Sequence, residues 1–332
     1  MANIVTFSSL GAKLKGMYAK NLKKSDYEEL IRQESIEKVI ALLKQKLPAL
    51  DNITISSGRR ELEEKLYQVL VHDTQKIYRY LNHKERALVD CYLEKYEILY
   101  LKESVKQYLT KGKIHPDASI WHRPMFKNIQ ELVVCDRKED WMLAISKTKY
   151  HKIFEEFFEQ QTVNPENALF TLETTLEKTY LQEWYQVVKK NRHSILQELI
   201  GKQIDLYNIL LIYRFRKYHQ ADSIKIESYI IPIYYQLKPY EIKEMIETYD
   251  LEEAIGHTAY HRVIHSLMHI EEDIQTYLFH FNILVMKNHS FDIALVICYL
   301  QIKEQELNNI IQIVEGVRYH LNRERLQKKI TI

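Results

Sequence analysis

The sequence predicts an all-α protein, and three observations lead to that prediction. Residues that make turns are scarce, apolar residues recur every three or four positions, and several short motifs repeat at intervals of roughly a hundred residues. The first two observations favour helices over strands. The third predicts three similar helical bundles related by pseudo-threefold symmetry.

The scarcity of turn-forming residues argues against a sheet-rich fold. The chain of 332 residues contains 7 glycines and 6 prolines, each about 2% of the total. Average usage is roughly 7% for glycine and 5% for proline. Since strands must be joined by frequent turns that use these residues, a large sheet is disfavoured.

Helical periodicity extends over most of the chain. Apolar residues between positions 30 and 47 recur at helical spacing, and Ser35 precedes that run as a predicted N-cap. Residues 61–103 predict one or two long helices with a break near Asn82, and Gly58 predicts a turn at a helix start. Periodicity lapses at 112–124, which we expect to be a linker, and again at 219–239.

Charge and cysteine content exclude several classes of protein. The net charge of +2 disfavours nucleic acid as a partner, because such proteins are usually strongly basic. The three cysteines are far apart and predict a reducing, cytoplasmic location. The longest apolar run is Ile293–Leu300, far below the ~18 residues of a membrane span, so we expect any membrane association to be peripheral.

Two sets of motifs recur in the same order along the chain. The segment that begins Thr148-Lys-Tyr150 matches the one that begins Thr258-Ala-Tyr260, 110 residues later. A second motif begins at residues 94, 205 and 306, at spacings of 111 and 101. The ordered recurrence predicts one helical repeat in each of the ranges 1–113, 114–222 and 223–332.

The second motif places two polar residues one helical turn apart. Asp205 is followed by Asn208, and Glu306 is followed by Asn309 in the same arrangement. Buried polar side chains are costly unless they are hydrogen-bonded. Two interpretations stay open: these residues bond neighbouring segments and fix the register of the bundles, or they line a surface that meets a partner.

The segments that carry these motifs resemble a known family. Residues 205–214, residues 303–316 and the opening segment 13–44 are similar to the V/A-type ATPase component known as the C subunit in bacteria and archaea and as the d subunit in eukaryotic vacuolar pumps. The resemblance covers essentially the full length. It implies a funnel of three all-helical domains that links the central rotor shaft, made of D- and F-type subunits, to the membrane proteolipid ring.

The resemblance also implies a protein without catalytic residues, metal or cofactor of its own, peripheral on the cytoplasmic side of the membrane. We expect the helices that carry the second motif to meet the shaft. The candidate partner-binding residues on them are Asp205, Asn208, Arg214, Arg216, Glu304, Glu306, Asn309 and Arg318.

Other interpretations of the motifs are weaker. Basic and aromatic residues alternate after Arg214, a pattern found in RNA-binding proteins, but the net charge argues against RNA. His261, His265 and His269 fall on one predicted helix face, yet they span about 12 Å at 1.5 Å per residue, too far for one metal ion. A helical-repeat scaffold unrelated to ion pumping is the alternative function.

Overall fold

The computed structural model describes residues 2–112, 129, 131–132, 135, 137–161, 165–219, 222–289 and 292–332. Regular structure within these ranges is helical, without a strand, which confirms the prediction of an all-α fold. The helices are α1 (Ala2–Tyr18), α2 (Lys24–Arg32), α3 (Ile36–Lys46), α4 (Arg59–Tyr78), α5 (His83–Lys111), α6 (Lys138–Ile145), α7 (His151–Gln161), α8 (Pro165–Lys190), α9 (Ser194–Arg214), α10 (Ser223–Tyr229), α11 (Pro239–Glu247), α12 (Leu251–Gly256), α13 (Ile270–Asn288), α14 (Ala294–Arg318) and α15 (Arg323–Lys329).

The chain divides into two compact units. Unit 1 combines the two ends of the chain, residues 1–86 and 272–332, and unit 2 comprises residues 87–271. The predicted repeat ranges 1–113, 114–222 and 223–332 stay a prediction.

Unit 1 is built around α14. The helices α1, α2, α3, α4 and α15 all pack against α14. Residues 294–300 form a fully buried first stretch of this helix, which explains the longest apolar run of the sequence. Gly316 lets α15 approach closely, because a Cβ at this position would collide with the side chain of Leu326.

Unit 2 is built around α9 in a similar way. The helix packs against α8 and α11, and most of its residues between Leu196 and Tyr213 are buried. Gly201 is the site of close approach here, since a Cβ would lie 2.5 Å from Cγ of Tyr235. Most residues of both central helices are buried, so each helix has neighbours on most of its sides.

Local sequence signals place several helix ends correctly. The hydroxyl of Ser35 accepts a bond from the Lys38 N–H at the start of α3, and Gly58 is the N-cap residue of α4. The predicted break near Asn82 separates α4 from α5. The Asn82 side chain accepts from the N–H groups of Lys84 and Glu85, which caps the new helix.

Two local predictions were wrong or incomplete. His261 and His265 lie in turn and coil, so the predicted helix face with His269 does not exist. The Thr258 hydroxyl bonds the carbonyl of Ile255 and the N–H of Tyr260, a local turn that competes with the helix after α12. The interval 219–239 contains a short helix, α10, and the predicted linker 112–124 lies outside the described residues after Gly112.

Candidate partner-binding surfaces

Asp205 is a buried anchor for an irregular segment of unit 2. Its carboxylate accepts hydrogen bonds from the backbone N–H groups of Tyr235, Gln236 and Leu237 at 2.6–3.1 Å, and from the Tyr260 hydroxyl at 2.9 Å. The side chain is fully buried, and burial raises its pKa although the four donors act in the opposite direction. The carboxylate therefore replaces the backbone partners that this non-helical segment lacks.

Asn208, one turn further along α9, holds the same segment. Its amide nitrogen donates to the carbonyl oxygen of Ile231 at 3.0 Å, and its amide oxygen accepts from the Ile231 N–H at 2.9 Å. Both backbone groups of one extended residue are thus satisfied by one side chain. We call this two-bond arrangement an asparagine clamp.

The second asparagine clamp closes unit 1. Asn309 donates to the carbonyl oxygen of Thr331 at 2.6 Å and accepts from the Thr331 N–H at 3.2 Å. Glu306, one turn earlier on α14, accepts from the Leu22 N–H at 2.5 Å and pairs with Lys303. In unit 1 the C-terminal tail is therefore held by the same two hydrogen bonds that hold the segment before α11 in unit 2.

The first copy of the motif differs from the other two. Glu97 occupies the asparagine position and is buried near Tyr150, whose pKa is raised by burial and by that carboxylate. Glu94 forms an ion pair with Lys149 at 2.7 Å. Acidic residues therefore anchor the Thr-Lys-Tyr segment here, whereas Asp205 binds the tyrosine of the equivalent Thr-Ala-Tyr segment.

The four residues Asp205, Asn208, Glu306 and Asn309 are all less than 4% exposed, and their hydrogen bonds run within the chain. This geometry agrees with the interpretation that they fix the register of neighbouring segments. A role in partner binding stays a prediction for them and, if present, acts through the segments that they position.

Arg214 is the last residue of α9 and Arg216 lies in the π-helical turn Phe215–His219 that follows it, and both are partly exposed. Arg214 forms an ion pair with Glu271 at 2.7 Å, and Arg216 donates to the carbonyl oxygens of Met245 and Tyr249 at 3.0 and 3.1 Å. Their guanidinium groups thus tie the end of α9 to Glu271, to α11 and to the turn after α11. Partner binding by either residue stays a prediction.

The remaining candidates lie on α14. Arg318 donates to the Glu315 carboxylate and to the carbonyl oxygen of Ser57, both at 2.7 Å. Glu304 is half-buried beside Tyr67, whose pKa is raised by burial and by that charge. Arg318 therefore joins the end of α14 to the turn before α4.

Two exposed tyrosines were missed by sequence reasoning. Tyr218 is 65% exposed and lies in the π-helical turn Phe215–His219 that follows α9, and Tyr319 is 69% exposed and directly follows Arg318, the last residue of α14. They are 101 residues apart, the spacing that also relates Asp205 to Glu306. That shared spacing was the signal in the sequence. Tyrosine is enriched among residues that dominate protein interfaces, so both are candidates for partner contact.

The described residues offer neither a metal site nor a membrane span. Among them, no group of three or more His, Cys, Asp or Glu side chains is arranged to hold a metal ion. In the same part of the chain, no helix combines the length and apolarity needed to cross a membrane.

Comparison with known proteins decides the family. Residues 10–329 match the family model described as ATP synthase (C/AC39) subunit. The chain belongs to the ATP synthase (C/AC39) subunit family. The match includes Asn208, Ile231 and Asn309 and ends two residues before Thr331.

Three relatives in this family share 20–26% identity with the chain. Each is the C subunit of an A-type ATP synthase. The protein from Methanosphaera stadtmanae is 24% identical over 57% of this chain and 52% of its own length. The protein from Methanobrevibacter smithii is 26% identical over 40% of this chain and 34% of its own length. The match to the Methanocaldococcus jannaschii protein is 20% identical and covers 98% of this chain and 86% of the relative. The first two matches thus span about half or less of those relatives.

Proposed function

We propose that the chain is a non-catalytic central-stalk subunit of a V/A-type ion-translocating ATPase. In this role it would couple the soluble rotor shaft to the membrane proteolipid ring and transmit torque between them. The observation that carries the proposal is the family match over residues 10–329, supported by relatives that are C subunits of A-type ATP synthases. Such a protein would bind the membrane peripherally, on its cytoplasmic side.

We further propose that the chain comprises three similar bundles that close into a funnel, with boundaries near residues 113 and 222. Recurring local geometry supports this proposal. The asparagine clamp occurs at Asn208 and at Asn309, and the Thr-x-Tyr turn has the same bonds at Thr148 and at Thr258. Equivalent bonds at a spacing near one hundred residues are expected of structural repeats.

The buried hydrogen bonds of Asp205 are suited to a subunit that transmits torque. A force on one helix is passed to the next segment only if the contact does not open first. The Asp205 carboxylate alone accepts four hydrogen bonds that are shielded from water. Charge-assisted bonds of this kind are stronger than neutral ones, so they resist local opening.

We assign shaft contact to the ends of α9 and α14. Tyr218 and Tyr319 supply exposed aromatic surface there, and the partly exposed Arg214, Arg216 and Arg318, which precede them in the chain, would contribute polar and ion-pair contacts. Polar and ion-pair contacts of this type allow the two halves of a pump to separate. The buried clamp residues would contribute only by holding these helix ends in position.

Co-purification tests the proposed function. Membranes of the source cell, solubilised in mild detergent, should yield the chain together with an A-type ATP synthase. A pull-down with separately purified D/F-type shaft subunits and with the proteolipid ring should retain both. If the chain purifies alone and binds neither, the rotor assignment is wrong and an unrelated scaffold is favoured.

A double variant tests the assigned contact. Tyr218→Ser with Tyr319→Ser should weaken shaft binding by at least about tenfold, since aromatic residues at interface centres contribute more than ~1.4 kcal/mol each. Its melting temperature should stay unchanged, because both rings are exposed. Tyr240→Ser, another exposed tyrosine at 60%, is the matched control and should bind normally.

A further inference from the structure

Unit 1 contains a cavity of about 410 Å³. It lies where the end of α1 and the start of α2 meet α13 and α14. Much of its wall is apolar, with Leu22, Phe279, Ile283, Ile302 and Ile332 among the lining residues. A volume of this size falls in the usual range for a site that binds a specific ligand.

One side chain of the cavity wall has unused hydrogen-bonding capacity. Asn21 lines the cavity, and its amide oxygen and amide nitrogen are both buried. Neither atom has a hydrogen-bond partner among the residues that the structure describes. A buried amide that bonds nothing costs about 1–3 kcal/mol, so its presence calls for an explanation, and a bound partner that supplies the missing hydrogen bonds is one.

The same protein shows what a buried asparagine can bind. Asn208 and Asn309 each bond the N–H and the carbonyl of one extended residue. Asn309 also lines this cavity, and Ile332, next to the clamped Thr331, forms part of its wall. A second extended chain entering the cavity would therefore meet Asn21 close to where the C-terminal tail already lies.

The charge at the rim restricts the sequence of such a chain. Lys23 and Lys24 line the cavity and are exposed, and Lys20 is exposed just before them. The acidic residue of the wall, Glu306, is already paired with Lys303. The rim is therefore positive, and it complements a segment with acidic residues.

We propose that this cavity binds an extended, acidic segment of another polypeptide. Asn21 bonds the N–H and carbonyl of one residue of that segment, an apolar side chain enters the cavity, and acidic residues pair with Lys23 and Lys24. The site requires neither a shaft nor a proteolipid ring, so it goes beyond the proposed function and can fail independently of it.

Peptide titration tests the proposal on the full-length chain. The probe is the fluorescein-labelled peptide EEITIEE, in which the central residues copy the C-terminal sequence Ile330-Thr331-Ile332. Fluorescence polarisation should show saturable binding. Two control peptides should bind at least about tenfold more weakly: KKITIKK, with reversed charge, and EEITIEE with an N-methylated threonine, which has lost the central N–H.

Variants then locate the site. Asn21→Leu should weaken peptide binding by at least about tenfold, whereas the melting temperature of the free chain should rise, because an unsatisfied amide is replaced by an apolar group. If Asn21 served only to stabilise the fold, Asn21→Leu would instead lower the melting temperature. Lys24→Glu should also weaken binding, and Lys84→Glu, exposed in the first turn of α5, is the matched control.

Three results would overturn the proposal. The first is the absence of binding by EEITIEE up to millimolar concentration. The second is equal binding by the reversed-charge peptide or by the Asn21→Leu variant. The third is that a nucleoside phosphate, AMP, binds the cavity and the peptide does not, which would make it a small-molecule site.

Discussion

The side chain of Asn309 bonds both backbone groups of Thr331, and the C-terminal tail is thereby attached to the central helix of unit 1. Asn208 holds Ile231 by the same two bonds in unit 2. The tail at the end of the chain is thus the counterpart of an internal connecting segment. The stability of unit 1 therefore depends on the last three residues.

A double-mutant cycle tests this dependence. Asn309→Ala and deletion of residues 330–332 should each destabilise the chain, but together they should cost about 1–2 kcal/mol less than the sum, because they remove the same two hydrogen bonds. Urea denaturation gives the free energies of unfolding. Asn308 is a half-buried neighbour on the same helix and serves as the control. The losses of unfolding free energy caused by Asn308→Ala and by the deletion should simply add. Additivity within ~0.5 kcal/mol for Asn309 would contradict the clamp.

Loss of the Asp205 carboxylate should be among the most damaging changes in unit 2. Asp205→Ala leaves three backbone N–H groups and one hydroxyl without their acceptor, and we expect a loss of about 3–5 kcal/mol. Tyr260→Phe removes only one of the donors and should cost about 1 kcal/mol. Gln197→Ala, at a half-buried position of the same helix, is the control and should change the unfolding free energy little. Similar losses for Asp205→Ala and Gln197→Ala would count against the anchor.

The two helix-packing glycines should respond differently to a methyl group. At Gly316 the new Cβ collides with Leu326, which is 1% exposed and has no room to move, so Gly316→Ala should cost about 1–3 kcal/mol. At Gly201 the nearest atoms are Cγ and Cβ of Tyr235, at 2.5 and 2.7 Å from an added Cβ. Rotation of the ring cannot move that Cβ, and the Tyr235 backbone is held by Asp205, so the loss should be larger.

The control for both is a helical glycine with open space around it. Gly16 in α1 has nothing within 4 Å of an added Cβ, and Gly16→Ala should stabilise by roughly 0.5–1 kcal/mol through helix propensity. Thermal melts of the three variants give the order. Adding Leu326→Ala to Gly316→Ala should recover part of the loss, and a purely additive result would rule out the collision.

The ion pair of Asp26 and Lys46 predicts a pH dependence. The bonds from Lys46 at 2.8 Å and from the Lys23 N–H at 2.7 Å hold the pKa of Asp26 below its ordinary value of 3.8. A carboxyl whose folded-state pKa is lowered contributes stability above its unfolded-state pKa and loses it as the pH falls through the folded value. The contribution should therefore be present above pH 3.8 and be lost progressively as the pH falls from there through the lower, folded-state pKa.

Asp26→Asn removes that titration. The urea midpoint of the wild type should fall more steeply than that of the variant as the pH is lowered from about 5 to about 2.5, with the two curves parallel above about pH 5. Lys46→Met, which removes the other partner of the ion pair, should reduce the pH dependence of the urea midpoint in the same way. Identical slopes for wild type and Asp26→Asn in the acid range would show that the pair contributes nothing to folding.

The sequence by itself determined the helical class, several helix ends and the family. These features depend on local information: the spacing of apolar residues, the scarcity of glycine and proline, and caps such as Ser35 and Gly58. The repeat of an acid and an asparagine one turn apart also identified α9 and α14, which are the central helices of the two units.

Only the tertiary structure decided what those polar residues bond. The hydrogen-bond partners of Asp205 and Asn208 lie 23–55 positions away along the chain. Thr331 lies 22 positions from Asn309, and Leu22 lies 284 positions from Glu306. No local pattern encodes such pairs, because each forms only after the helices have packed. For the same reason the exposure of Tyr218 and Tyr319, and the unpaired amide of Asn21 in a cavity, follow from the packing of distant segments and not from sequence spacing.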